Sequence, residues 1–418
     1  MSTEHRYGPQ GPGTANGPAL PAAGKPQSPN AIDTGEVKQD AVTFENWKGA
    51  ADRPEPEPPK PLAPSERLGI AIVGLGRLSL NQILPALSES QQARAVALVS
   101  DRPEKAQAVA KQYGIDPSAI YRYDEMHKMA DNPAIQAVYV VTPNGLHRDH
   151  VVAAAKAGKH VLCEKPMANT PDEAREMIAA CRQAGVKLMI AYRCQYELFN
   201  VEAARLTQSG ELGEPRLLEA ITSQVQGPGD QWRMRAALAG GGVLPDIGLY
   251  CLNGVRTMLA EDPIEVYAQI VNPKEDDRYT EVEETIAFTL RFPSGVIANC
   301  FSSYGAHEAK DLRIRLEKGW IAVDNAFAYE GQRLQIAQRN GNSEQVNELR
   351  LSPKNQFTLE IDHFAQSVLN NTEPHSPGEE GLQDHLLMEA LYRSAREGVP
   401  VKITHDSAHP PLKIADRQ

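Results

Sequence analysis

The sequence predicts an α/β protein. An N-terminal Rossmann domain, a doubly wound parallel sheet, is joined to a C-terminal α+β domain built on a large, mostly antiparallel open-faced sheet. Three observations predict this. Between residues 66 and 192, short continuous apolar runs alternate with helical patterns, the order of a parallel sheet covered on both faces. The first run leads at once into Gly74-Leu75-Gly76 and a helical pattern, the setting a dinucleotide-binding turn requires. Beyond about residue 193, most β-type runs follow one another across glycine turns with no helix between them, as in an antiparallel sheet.

The totals bound the rest. A chain of 418 residues accommodates two domains, and 41% hydrophobic residues suffice for real cores. The net charge of −11 argues against nucleic-acid or membrane partners. No apolar run approaches the length of a membrane helix. The five cysteines show no CxxC or zinc spacing, and the eleven histidines form no HxH or HExxH cluster. Free thiols in a reducing compartment and no metal site are therefore expected. No signal peptide is visible, which points to the cytoplasm. Residues 1–65 hold 12 of the 31 prolines and 7 of the 31 glycines, so a solvated, Pro-rich extended N-terminal arm is expected. It is either a tail or an arm that packs on another subunit.

In the Rossmann domain (66–192), the buried strand 68–73 precedes the turn Gly74-Leu75-Gly76-Arg77-Leu78. Gly74 permits the tight turn, and Gly76 lets backbone N–H groups approach a pyrophosphate at the helix N-terminus. Ser79 stands where a third Gly or Ala is usual. The strand 95–100 ends in Ser100-Asp101-Arg102, with Lys105 one turn on. Asp101 suits a free ribose 2′-hydroxyl, whereas Ser100, Arg102 and Lys105 suit a 2′-phosphate; a solvated helix start is the plainer alternative. A helix runs to Gly114. Strand 137–142 ends in Thr142-Pro143-Asn144-Gly145-Leu146-His147, where His147 either touches a ligand or caps its own helix. After the helix over 148–157, strand 160–163 places Glu164 and Lys165 at its carboxyl end, and Pro166 stops the pairing. That pair is a candidate site or a surface ion pair. Thr170, Pro171 and Glu173 form a helix N-terminus, the helix ends near Gly185, and strand 187–192 closes the domain.

The second domain (193–418) begins with helical segments over 200–209 and around 244–259. Strands are expected over 217–225, 265–271, 284–292, 296–303, 312–317, 320–326 and 333–338. The glycine run 240–242 precedes a helix carrying Asp246 and Tyr250 at i and i+4, on one face. An acid and a phenol facing a lysine make a proton relay, unless they are a surface pair. Upstream, Trp232 and Arg233 offer an aromatic plane and a cation to a cofactor.

Taken together, GLGRLSLNQILP (74–85), TPNGLHRDH (142–150), AGKHVLCEKPMA (157–168), YRCQY (192–196), QWRMR (231–235), GGGVLPDIGLYCLNG (240–254) and SPGEEGLQD (376–384) resemble the glucose–fructose oxidoreductase (Gfo/Idh/MocA) family over residues 66–403, most of all its glucose–fructose and aldose–aldose oxidoreductases. The resemblance implies an active site between the two domains and an NADP cofactor, with NAD possible. It places Lys165 in the family's EKP signature, against nicotinamide and substrate. It implies catalytic roles for Lys165, Asp246 and Tyr250, with Arg193 beside them at substrate. Tyr123 falls on the adenine side. Tyr250 stands where many relatives carry His, and Asp101 where a sugar–sugar relative has glycine. The expected chemistry is oxidation of an aldose at C1 to the lactone. Tyr250 takes the hydroxyl proton, Lys165 lowers the phenol's pKa, and Asp246 orients. The hydride then passes through tightly bound NADP(H) to a second sugar. An ordinary sugar dehydrogenase that releases its cofactor and a non-catalytic nucleotide-binding regulator are the alternatives. A homo-oligomer, dimer or tetramer through the C-terminal sheet, is expected. The family's exported members make the periplasm the alternative location.

Overall fold

The computed structural model describes residues 36–38, 41–43, 62–404, 411 and 413–417. The chain divides into two compact units, Met1–Pro59 and Lys60–Gln418. In the first, β1 (Glu36–Lys38) pairs antiparallel with β2 (Ala41–Thr43), a hairpin the composition did not predict. The remainder of the expected arm, including the proline run 54–59, lies outside the described residues.

In the second unit, β3 (Leu68–Val73) is buried at every position because helices cover both faces of its sheet. The chain continues through α1 (Leu84–Glu89), β4 (Ala93–Val99), α2 (Pro103–Tyr113), β5 (Ile120–Tyr121), β6 (Ala137–Val140), α3 (His147–Lys156), β7 (His160–Glu164), α4 (Pro171–Ala184) and β8 (Leu188–Ala191). The six strands form one parallel sheet in the order β5-β4-β3-β6-β7-β8. The order reverses at β3, so the crevice beyond the carboxyl ends of β3 and β6 is where such a sheet receives a ligand. The helix stops follow the sequence signals. Thr170 accepts a hydrogen bond from the Glu173 N–H at 3.2 Å, Pro171 is the first residue of α4, and Gly114 (φ 67°) and Gly185 (φ 66°) end α2 and α4 in the left-handed conformation that favours glycine.

After α5 (Leu198–Gln208) come β9 (Pro215–Ser223), α6 (Ala236–Ala239), α7 (Leu249–Leu259), β10 (Glu265–Val271), β11 (Thr285–Arg291), β12 (Ile297–Ser303), β13 (Ala309–Leu316), β14 (Gly319–Asp324), β15 (Arg333–Asn340) and β16 (Ser343–Leu349). The chain closes with α8 (Gln356–Leu369), α9 (Gly378–Glu397) and β17 (Val401–Lys402). Nine strands form the second sheet, β16-β15-β14-β13-β9-β12-β11-β10-β17, antiparallel except for the β9–β12 pair. Alternation sets its faces: in β12, Ala298, Cys300 and Ser302 point inward while Ile297, Asn299 and Phe301 are exposed.

The domain boundary expected at 192/193 follows chain order but not packing. Phe357, Ile361 and Phe364 of α8 share a core with Leu68, Ile70, Ile72 and Tyr139 of the parallel sheet. Residues after α8 also dock on β8: the Ile190 N–H donates to the Ser376 carbonyl at 2.8 Å. Each such apolar side chain contributes about 1.5–3 kcal/mol by leaving water. Ile361→Ala, which would open a cavity at the joint, would cost about 2–5 kcal/mol.

Candidate active site

The loops at the carboxyl ends of the parallel strands face the inner side of the second sheet across a cleft of about 1070 Å³. At one end is the turn after β3. Gly74 has φ 97°, and a Cβ there would lie 2.7 Å from the Val141 carbonyl oxygen, so only glycine fits without strain. A Cβ on Gly76 would meet nothing within 4 Å, so its backbone is open to the cleft and can cradle a pyrophosphate. Ser79 is fully buried and its hydroxyl donates to the Gly74 carbonyl at 2.5 Å, which ties the turn to the helix where a third small residue would merely pack.

Ser100, Arg102 and Lys105 line the same end, and the Lys105 ammonium contacts the Leu75 carbonyl. Asp101 lines this end too, and its Oδ1 accepts the Tyr123 N–H at 3.2 Å and lies 3.9 Å from the Arg122 guanidinium. Tyr123 stacks on His150 at 4.9 Å between ring centroids. Asn144 is buried and donates to the Ala239 carbonyl at 2.8 Å, joining the loop after β6 to α6.

At the other end lies a cluster of charges. Glu164 ends β7, and the Lys165–Pro166 bond after it is cis. The Lys165 ammonium donates to the Asp246 main-chain carbonyl at 2.6 Å and lies 3.8 Å from its carboxylate. Asp246 sits in a wide turn, Leu244–Gly248, that leads into α7, where Tyr250 is the second residue. Asp246 Oδ2 accepts hydrogen bonds from Arg233 Nε at 3.0 Å and from the Tyr304 hydroxyl at 2.6 Å. Lys165 Nζ lies 4.5 Å and the Arg193 guanidinium 4.6 Å from the Tyr250 ring centroid. Arg193 itself is anchored by the Phe327 carbonyl at 2.8 Å and Gln356 Oε1 at 2.6 Å.

The electrostatics separate the groups. Burial pushes the Asp246 carboxyl up, but the Arg233 and Lys165 charges and the hydrogen bonds from Tyr304 and Arg233 outweigh it and hold it below its ordinary value. Burial lowers Lys165, opposed by Asp246 and Glu164. The pair respond differently because Asp246 is also held by Arg233 and Tyr304, whereas Lys165 also feels the like charges of Arg233 and Arg193. For Tyr250 the expectation of a lowered phenol is overturned. Burial is the largest effect and raises it, with Arg193 only partly compensating.

Every residue nominated from sequence for cofactor, substrate or catalysis lines this cleft except His147. His147 is fully buried beneath it, with Nδ1 2.9 Å from the Pro166 carbonyl and Nε2 2.8 Å from the Thr142 carbonyl, so it ties two cleft loops together instead of facing a ligand. Sequence reasoning missed Tyr304, one residue beyond β12, and Phe327 and Tyr329, in the loop after β14. None carries a motif; an aromatic residue at a strand end beside a glycine was the available signal for Tyr304. Among the described residues, no cluster of three or more His, Cys, Asp or Glu could hold a metal, and no helix is long and apolar enough to cross a membrane.

Comparison with known proteins fits this geometry. The family described as "Oxidoreductase family, NAD-binding Rossmann fold" matches residues 68–192, and "GFO/IDH/MocA C-terminal domain" matches 200–322. A D-xylose 1-dehydrogenase [NADP(+)] of Haloarcula marismortui is 34% identical over 340 residues, 80% of this chain and 92% of that protein. A 1,5-anhydro-D-fructose reductase of Ensifer adhaerens is 29% identical, over 79% of this chain and 97% of that one. Among solved structures, aldose-aldose oxidoreductase from Caulobacter crescentus complexed with glycerol is 43% identical with a TM-score of 0.78, over 81% of this chain and all of that one (100%). A levoglucosan dehydrogenase structure, 20% identical with a TM-score of 0.71 over 81% of this chain and 100% of that one, shares the fold. A nicotinamide dinucleotide cradle, a charged cluster at its far end and relatives matched over nearly their whole length converge on one assignment: the chain is a member of the Gfo/Idh/MocA family of oxidoreductases.

Proposed function

We propose that the protein is an NADP-dependent sugar oxidoreductase that oxidises an aldose at C1 to the lactone and passes the hydride, through a cofactor it retains, to a second sugar. The observation that carries the reading is the Lys165–Asp246–Tyr250 cluster in the same cleft as the glycine cradle. When bound, the oxidised nicotinamide would supply the hydride acceptor and a positive charge. Tyr250 receives the proton of the C1 hydroxyl as the hydride leaves, and Lys165 and Arg193 favour the phenolate that accepts it. Asp246, ionised and fixed by Arg233 and Tyr304, accepts a hydrogen bond from a sugar hydroxyl. With the second sugar, Tyr250 returns the proton to the carbonyl being reduced.

NADP is favoured over NAD because Ser100, Arg102 and Lys105 line the cleft, and the Asp101 carboxylate that lines it with them already accepts the Tyr123 N–H and lies 3.9 Å from Arg122. The 43% identity to an aldose-aldose oxidoreductase supports transfer between sugars. The 34% identity to a D-xylose 1-dehydrogenase supports a second reading, an ordinary dehydrogenase that releases its cofactor. The exposed Leu217, Ile297 and Phe301 on the outer face of the nine-stranded sheet support a homo-oligomer built through that sheet.

The test is the mass and absorbance of the nucleotide that copurifies with the full chain. The reading expects NADP(H), reduced on adding an aldose and reoxidised on adding a second sugar without leaving the protein on gel filtration. Turnover only with added free NADP⁺ in the full chain would favour the second reading.

A further inference from the structure

Behind the charged cluster lies a second carboxylate that the proposed reaction does not use. Glu360, on α8, is completely buried. Its Oε2 lies 3.4 Å from the Tyr139 hydroxyl, and its Oε1 has no hydrogen-bond partner among the described residues. Tyr139, on β6 and also fully buried, donates to Glu164 Oε1 at 2.9 Å. A phenol has one proton. If it serves Glu164, the contact with Glu360 is a hydrogen bond only when Glu360 carries a proton of its own. Desolvation demands the same: an ionised carboxylate in the core needs a cation or several donors. The groups acting on Glu360 are Glu164, Arg193, Tyr139, Cys194 and Tyr196. The cation among them, Arg193, gives its hydrogen bonds to Phe327, Ala328 and Gln356. Burial pushes the Glu360 carboxyl well above its ordinary value, and the negative charge of Glu164 adds to this.

We propose that Glu360 is a positioning residue, a neutral carboxylic acid that donates its proton to the Tyr139 oxygen so that Tyr139 in turn holds Glu164 as an ionised carboxylate beside Lys165. The chain runs Glu360 O–H to Tyr139, and Tyr139 O–H to Glu164; each oxygen keeps its proton and no bond is broken. Donation into the phenol oxygen polarises the O–H that serves Glu164. Glu164 is itself pushed up by burial and held back by Lys165, Tyr139 and Arg193, so loss of one support moves its ionisation toward neutrality. The proposal rests on the reading of Glu164 and Lys165 as the reacting end of the cleft.

Two measurements on the full-length protein test it. Infrared difference spectra at neutral pH, parent minus Glu360→Gln, are expected to contain the carbonyl band of a protonated carboxylic acid that shifts in D₂O. Absence of that band overturns the proposal. In pH profiles of kcat, Tyr139→Phe is expected to lose roughly tenfold or more on the acid side, because a hydrogen bond to a charged group is removed. Glu360→Gln keeps a neutral donor facing Tyr139 and is expected to rescue the parental profile. A Glu360→Gln profile displaced like that of Tyr139→Phe, or a parental profile in Tyr139→Phe, overturns it. If the band is present but the parent oxidises no sugar, the proposed reaction fails while the protonated Glu360 stands.

Discussion

Replacing Lys105 by alanine probes cofactor choice at the adenosine end of the cleft. Lys105, Arg102 and Ser100 line the region beyond β4, and the Asp101 carboxylate is taken up by the Tyr123 N–H and Arg122. A 2′-phosphate there meets two cations and a hydroxyl donor, against the single carboxylate of Asp101. A charge-assisted contact contributes about 1.5–3 kcal/mol, or roughly 10- to 150-fold in affinity. Because the site opens to solvent, the lower end applies. Lys105→Ala should therefore weaken NADP⁺ about tenfold and leave NAD⁺ within about twofold. The assay is kcat/KM for each cofactor with one aldose, at fixed ionic strength because the contact is screened by salt. An unchanged NADP⁺/NAD⁺ ratio would refute the reasoning, and Asp101 would then be the residue that reads the ribose.

Gly74→Ala should cost about 1–3 kcal/mol, since φ is 97° and the added methyl meets the Val141 carbonyl at 2.7 Å. Thermal unfolding and nucleotide titration check it, and a parental Tm with parental affinity would contradict it. The pH dependence follows from the raised Tyr250 phenol. A base whose ionisation lies above its ordinary value is mostly protonated near neutrality, so aldose oxidation should still be climbing as pH rises past 8, while ketose or aldose reduction, which uses the protonated phenol, should stay flat over the same range. A flat oxidation profile from pH 6 to 9 would remove Tyr250 from the proton path.

Much of this architecture is legible in the chain because the parallel strands are continuous apolar runs and the helices carry their own punctuation. Thr170-Pro171 and Gly185 mark both ends of α4. β10 was expected over the same seven residues it occupies, because its flanks are unambiguous. Three features escaped for physical reasons. β16 is an edge strand, SEQVNEL, exposed along almost its whole length, so burial imprints no alternation on it. The helices α8 and α9 were not predicted, because Gln356, Glu360, Glu380, Gln383 and Asp384 occupy buried positions and break the apolar pattern. Gln356, Glu380 and Asp384 are tolerated by tertiary partners a single sequence does not display, as with Asp384, whose carboxylate receives Asn253 at 3.0 Å and also pairs with Arg256. For the site, Glu164, Lys165, Asp246 and Tyr250 were visible as strand-end and helix-face residues. Tyr304, Tyr139 and Glu360 act through contacts across 58, 25 and 221 residues of chain, which no local pattern encodes.

The rate of nicotinamide reduction in a single turnover, by stopped-flow absorbance with saturating aldose, tests the central claim most directly when Tyr250→Phe is compared with the parent. The variant keeps the ring beside Lys165 and Arg193 and loses only the hydroxyl. The account predicts unchanged nucleotide binding and a reduction rate slower by about a hundredfold or more, the scale of a lost general base. A rate within a few-fold of the parent would contradict it.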